Sequence, residues 1–205
     1  IDKPAQISKL GNDELEKLAE EIRQRIIEVV AKNGGHIAPS LGTVDLTLAL
    51  LSVFDPLKDR VVWDVGHQSY AWKILTGRNE RFDTLRQYGG ISGFTNRDES
   101  PCDAFSTGHS STSISAALGI AVARDLNRDN YHCISVIGDG ALTGGMSFEA
   151  LNHTGHLQPH KFIVILNNNA MSISKNVGGL QKYMAKMYAS KSYNTLKKQV
   201  WDMSS

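Results

Sequence analysis

Two oxygen-bearing side chains raise the first chemical question. Asp139 stands in Gly138-Asp139-Gly140 at the end of one short apolar run, and Asn169 closes Asn167-Asn168-Asn169 at the end of a second. A carboxylate and an amide carbonyl are hard donors of the kind Mg²⁺ takes. Met171, just beyond, can add a backbone carbonyl oxygen, whereas its sulfur is too soft for that ion. Two diphosphate oxygens and a water would complete an octahedron. The glycines beside Asp139 let backbone approach a phosphate closely. These residues outline a Mg²⁺–diphosphate site divided between two strand ends.

Such a division needs a particular scaffold. Asn169 follows Asp139 by 30 positions. That span holds a turn, a three-turn helix, a connection and a strand, which returns the chain to the same end of a parallel sheet. Ligands in such sheets sit beyond the carboxyl ends of the strands. The fold class expected is therefore α/β, a parallel sheet flanked by helices. Arg60 to Asp64 reads as the first strand of the sheet, and His67 falls just past its end.

The remaining elements follow from periodicity and punctuation. Leu15, Leu18, Ile22, Ile26, Val29 and Val30 recur at helical spacing, with Asn12 as expected N-cap and a stop at Asn33-Gly34-Gly35. Gly34, Gly35, Pro39 and Gly42 predict a structured loop around His36 rather than a helix. Thr43 is expected to cap a mostly apolar helix to about Phe54. A second helix is expected from Ser69 to Leu75, and a short helical patch from Phe82 to Tyr88. The long stretch from Gly89 to Gly108 reads as an ordered functional loop, on the strength of Phe94 and Phe105. Thr107 to Ser113 then opens a helix whose buried face is Ile114, Ala117, Leu118, Ala121 and Val122. Its first N–H groups and hydroxyls form a candidate anion site, with simple capping by the serines as the plainer alternative. Helical patches are expected over 180–188 and 193–203.

Composition narrows the function classes. The chain has 205 residues, 41% of them hydrophobic, enough for one sizeable core. A net charge of +1 gives no reason to expect a nucleic-acid or anionic-membrane partner. No apolar run reaches the ~18 residues of a membrane span, and the first residues do not form a signal peptide. Cys102 and Cys133 form no disulfide framework, which suits a reducing, cytoplasmic setting.

Other stretches make the pattern specific. Gly-Asp-Gly, then a helix, a strand and an Asn, resembles the thiamine diphosphate motif. Gly34-Gly35-His36-Ile37-Ala38-Pro39-Ser40-Leu41-Gly42, Trp63-Asp64-Val65-Gly66-His67-Gln68, Lys73-Ile74-Leu75-Thr76-Gly77-Arg78, Gly108-His109-Ser110-Ser111 and Met171-Ser172-Ile173-Ser174 together resemble the 1-deoxy-D-xylulose-5-phosphate synthase family. The resemblance covers about residues 12–180. Transketolases share the Gly-Asp-Gly and Asn elements but usually carry an acidic residue and glycine soon after, where this chain has Leu142-Thr143-Gly144-Gly145. Asn168, Ala170 and Lys175 depart from the family's usual residues without being ligands themselves.

The resemblance implies a thiamine diphosphate- and Mg²⁺-dependent transferase. Its substrates would be pyruvate and D-glyceraldehyde 3-phosphate, and its products 1-deoxy-D-xylulose 5-phosphate and CO₂, feeding isoprenoid precursors, thiamine and pyridoxal. It implies Asp139, Asn169 and the Met171 carbonyl as metal ligands, and Gly140 and Ala141 as diphosphate contacts. His67 and Gly108-His109-Ser110 would line the cofactor, and His36 would handle proton transfer. A cytoplasmic homodimer is implied as well. The family's pyrimidine-activating glutamate belongs to a second domain, so residues 1–205 are expected to be the diphosphate-binding domain of a longer polypeptide. The alternatives are a transketolase, a 2-oxo-acid dehydrogenase subunit, and a non-catalytic cofactor-binding module.

Overall fold

The structure, a computed structural model, describes residues 4–168 and 179–204. The chain divides into two compact units, residues 1–169 and 170–205. In the first, three strands pair in parallel in the order β1 (Arg60–Trp63), β2 (Cys133–Gly138), β3 (Phe162–Asn167). The register sets Trp63 opposite Val136 and Gly138 opposite Asn167, so all three strands deliver their next residues to one edge of the sheet. The expected α/β arrangement is observed.

Strand alternation explains the layers. Side chains two apart share a face. Val61, Trp63, Ile134 and Val136 face a core that includes Ile22, Ile26 and Val29 of α1 (Asn12–Asn33), Leu48 and Leu51 of α3 (Val44–Val53), and Trp72 of α4 (Tyr70–Lys73). On the opposite face lie Val62, Ser135 and Ile137, where α5 (Ser113–Asn127) packs on β1 and β2. Its buried apolar residues Ile114, Ala117, Leu118 and Ala121 are four of the five the periodicity predicted; Val122 is only half-buried. The helix α6 (Gly145–Leu157) packs against α5 and completes the crossover from β2 to β3. The second unit contains α7 (Gly179–Ala189) and α8 (Lys191–Ser204), close to the two expected patches.

Several local expectations need correction. The N-cap of α1 is Gly11, not Asn12; Glu14 reaches back to accept the Gly11 N–H at 2.9 Å. The segment after His36 is not wholly loop, because Ile37–Leu41 forms a one-turn helix, α2. Pro39 is tolerated there since a first-turn N–H has no intrahelical acceptor. Thr43 precedes α3 but does not cap it through its side chain; its hydroxyl donates to Gln68 O at 2.7 Å instead. Helix α5 begins at Ser113, leaving Gly108 to Thr112 as a turn. The Phe82–Tyr88 patch shrinks to a 3₁₀ turn over Phe82–Thr84.

Candidate functional site

The first strand ends at Trp63 and the chain turns sharply. Val65 has φ 59° and Gly66 φ 87°, both left-handed. That conformation is natural for glycine and costly for a β-branched residue. Gly66 also has no room for a side chain: a Cβ there would collide with Thr107 Oγ1 and stand 3.0 Å from Thr95 N. Thr95 and Thr107 close the base of their loop on each other, with a 2.7 Å hydroxyl contact and a 3.1 Å backbone hydrogen bond from Thr107 N to Thr95 O.

This turn presents His67. Its backbone carbonyl accepts from Ser40 Oγ at 3.0 Å, so the polypeptide around α2 is tied to it. The His36 ring stands edge-on to the His67 ring, centroids 5.2 Å apart, and 6.4 Å from Phe94. The His36 N–H donates to Tyr70 Oη at 3.3 Å, and the same hydroxyl crowds Gly35, whose φ is 141°. Both imidazoles titrate below the usual histidine range. For His36 the cause is partial burial, then the Arg86 guanidinium. For His67 burial leads and a neighbouring His36 charge adds to it, while the Asp64 carboxylate pulls the other way. Near neutral pH both rings are therefore uncharged and able to accept a proton. His67 Nδ1 is buried with no hydrogen-bond partner among the described residues. A buried orphan nitrogen is a common signature of a ligand contact.

The turn at Gly108-His109-Ser110 approaches from the start of α5. All three residues are exposed, and His109 Nδ1 lies 2.9 Å from Ser110 O. Ser111, left-handed at φ 70°, ties this turn to the loop after β2: its hydroxyl donates to Ala141 O at 2.7 Å. Ser147 Oγ lies 3.3 Å from both Ser111 O and Ala141 O. The predicted anion site at the α5 start already has its anion. The N–H groups of Ser111 and Ser113 donate to the two oxygens of Asp64, at 2.8 and 2.9 Å. Two N–H groups of that candidate site are thus already engaged.

Asp139 follows β2 directly and is 7% exposed, with Gly140 exposed beside it and a 3₁₀ turn over Ala141–Thr143. Neither Gly138 nor Gly140 takes a positive φ. A Cβ at Gly138 would meet nothing within 4 Å, so no described neighbour demands a glycine there. Asn169 and Met171 lie outside the described residues. The described chain nevertheless runs through Asn168, immediately past the β3 residue paired with Gly138. Among the described residues no three His, Cys, Asp or Glu side chains converge. A cation at Asp139 would thus draw further oxygens from amide, carbonyl or phosphate groups, a donor set that suits Mg²⁺.

The sheet end therefore gathers His36, His67, the Gly108–Ser110 turn and Asp139–Ala141, all expected from the sequence. It also uses Asp64 and Tyr70, to which the sequence assigns no role, and Phe94 and Ser111, expected only to order the loop and to open or cap α5. Asp64 carried one available signal, a carboxylate at a strand end directly before the turn that bears His67.

Comparisons with known proteins agree with this geometry. The family profile described as 1-deoxy-D-xylulose-5-phosphate synthase matches residues 1–205. The chain is 60% identical over 194 residues to the 1-deoxy-D-xylulose-5-phosphate synthase of Carboxydothermus hydrogenoformans, covering 95% of this chain and 31% of that protein. It is 58% identical over 200 residues to the corresponding synthase of Oleidesulfovibrio alaskensis, covering 98% and 31%. The chain thus spans about a third of the length of these relatives. Among solved structures it resembles transketolase from Leishmania mexicana (TM-score 0.71, 27% identity, 83% of this chain and 30% of that one). Transketolase from Campylobacter jejuni is similar too (TM-score 0.71, 25% identity, 82% and 30%).

Proposed function

The chain belongs to the 1-deoxy-D-xylulose-5-phosphate synthase family, and on that premise we propose that it supplies the diphosphate-binding half of a thiamine diphosphate- and Mg²⁺-dependent active site. The reaction proposed is condensation of pyruvate with D-glyceraldehyde 3-phosphate, releasing CO₂ and forming 1-deoxy-D-xylulose 5-phosphate for isoprenoid, thiamine and pyridoxal synthesis. The observation that carries the reading is the register of the sheet. Gly138 pairs with Asn167, so Asp139 and the Asn cluster leave neighbouring strands at the same level, on the edge where β1 delivers its turn to His67.

Bound there, thiamine diphosphate supplies the electron sink that decarboxylation and carbon–carbon bond formation require. The protein's own groups do the rest. Asp139, with Asn169 and the Met171 carbonyl, holds Mg²⁺ against the diphosphate; Gly140 and Ala141 bring backbone to it. His67 offers its orphan Nδ1, and Gly108, His109 and Ser110 line the approach. His36, uncharged near neutral pH and exposed beside His67, exchanges the proton at the substrate oxygen. Phe94 stands beside that ring, and Tyr70 anchors the His36 main chain. A cytoplasmic homodimer completes the proposal. Domain identity is part of it: residues 1–205 act as the diphosphate-binding domain of a longer polypeptide.

Transketolase is the second reading, favoured only by the solved structures of similar fold. The higher identity to the named synthases weighs against it. Asp139→Ala tests the metal assignment. Calorimetry on the full-length protein should show Mg²⁺-dependent cofactor binding in the wild type and its loss in the variant. Equal affinity with and without Asp139 would remove the metal site from the proposal. Product analysis with pyruvate and glyceraldehyde 3-phosphate, against a ketose donor, separates the synthase from the transketolase.

A further inference from the structure

We propose that Asp64 is a positioning residue that locks the His67 turn to the Gly108–Ser110 turn, so that the two approach a cofactor as one rigid unit. The inference rests on the function proposed above for the significance of those turns, though not for the clamp itself. Asp64 is 1% exposed, and its main chain and side chain act in different directions. Through the backbone it organises the turn that follows. Its N–H donates to Val136 O at 2.8 Å, fixing it to β2. Its carbonyl accepts from Gly66 N at 2.6 Å and from Gln68 Nε2 at 2.9 Å, which brackets His67 on both sides. Through the side chain it holds the other turn, by the bonds from the Ser111 and Ser113 N–H groups.

Such a connection is needed because both turns hold strained backbone. Val65 and Ser111 are non-glycine residues in the left-handed region, on either side of the Asp64 carboxylate. Strain of this kind persists only where surrounding bonds over-determine it. Charge-assisted bonds from two main-chain donors to one buried carboxylate are strong enough for that task. The hydroxyl bond from Ser111 to Ala141 O carries the constraint on to the residues after Asp139. A carboxylate is required specifically: an amide in its place would turn an NH₂ group toward one of the two N–H donors. The groups facing His67 are His36 and Asp64, with Arg86 acting on His36 behind it. Loss of the Asp64 charge therefore also leaves His67 harder to protonate.

The test uses the full-length protein with Asp64→Asn and, separately, Val65→Gly. The glycine variant relieves the left-handed strain and frees the turn without removing the carboxylate. For Asp64→Asn we expect three changes: altered amide NMR shifts at Gly108 to Ser113 without cofactor, a His67 imidazole titration moved to lower pH, and a Kd for Mg²⁺–thiamine diphosphate raised roughly tenfold or more. For Val65→Gly we expect an unchanged or higher melting temperature together with weaker cofactor binding, a split that a purely structural role would not produce. If Asp64→Asn does not fold, Val65→Gly decides alone. Wild-type affinity in Val65→Gly, or unchanged amide and His67 signals in a folded Asp64→Asn, overturns the proposal. If the wild type itself binds no cofactor, the proposed function fails, and the clamp stands or falls on the cofactor-free NMR signals.

Discussion

Asp103→Ala removes the centre of the buried ionic cluster beneath the site, and its cost can be worked from the bonds lost. Asp103 is 3% exposed and accepts four hydrogen bonds. Two come from Arg78, at 2.6 and 2.9 Å, one from Trp72 Nε1 at 3.0 Å and one from Asn96 N at 2.8 Å. Without it the Arg78 guanidinium, 4% exposed, keeps only Thr76 Oγ1 and a 3.5 Å contact with Glu99. Glu99 cannot compensate fully, because it already pairs with buried Lys73 at 2.6 Å and accepts the Ser92 N–H. Stranding a buried charge by deleting its partner costs about 3–5 kcal/mol. These bonds stitch the segment from Ser92 to Thr107 onto α4 and the turn after it, so the cost falls on that loop. Hydrogen exchange in the full-length protein should read it as roughly 10²- to 10⁴-fold faster exchange at Asn96 N and Thr107 N, since each 1.4 kcal/mol is a factor of ten. Asp103→Asn, which keeps the shape and loses the charge, should fall between. Acceleration confined to Asn96, with Thr107 and Ser111 protected as before, would refute the claim that this cluster holds the loop against Gly66.

Two further outcomes follow from the same geometry. Gly66→Ala should destabilise by about 2 kcal/mol or more, from left-handed strain plus the displacement of Thr107, and is checked by thermal unfolding. Stability should also depend on pH through His36 and His67. Their folded pKa values lie below the unfolded value of ~6.5, so their contribution is complete above that pH and is lost as pH falls through the folded values; melting curves from pH 8 to 5 should decline below about pH 6.5, and a double His36→Asn, His67→Asn variant should flatten that decline.

The strands and the crossover helix were legible in the sequence because each has a local signature. A short apolar, β-branched run marks β2, the spacing of Ile114 to Ala121 marks the buried face of α5, and Gly-Asp-Gly after that run marks a strand end. The order of the long loop was also expected, but for the wrong reason. Phe94 and Phe105 are the local reason to expect an ordered loop, yet Phe105 is 37% exposed. What holds it is Lys73, Arg78, Glu99 and Asp103, charges separated by up to 30 positions and shown to be partners only by the fold. Charged residues in a polar loop read as solvated until the strut they form is seen. The α2 turn was missed because Pro39 and the flanking glycines argue locally for loop, while Tyr70 and Ser40 supply tertiary bonds that no local pattern encodes.

The Asp64 carboxylate also changes how a diphosphate could be held. A helix start offers an anion roughly half a positive charge and several unpaired N–H groups. At α5 two nearby N–H groups are already spent on a full negative charge belonging to the protein. A second anion brought to that point would meet repulsion rather than attraction. On the proposed function, compensation for the diphosphate must therefore come from the Asp139 side, and Asp139 is itself an anion. Two anions approach stably only across a cation, so under that proposal a divalent ion would be a requirement of binding rather than an accessory to it. Under that proposal Gly108-His109-Ser110 would bound the cofactor with exposed backbone and imidazole, and charge neutralisation would fall to the metal.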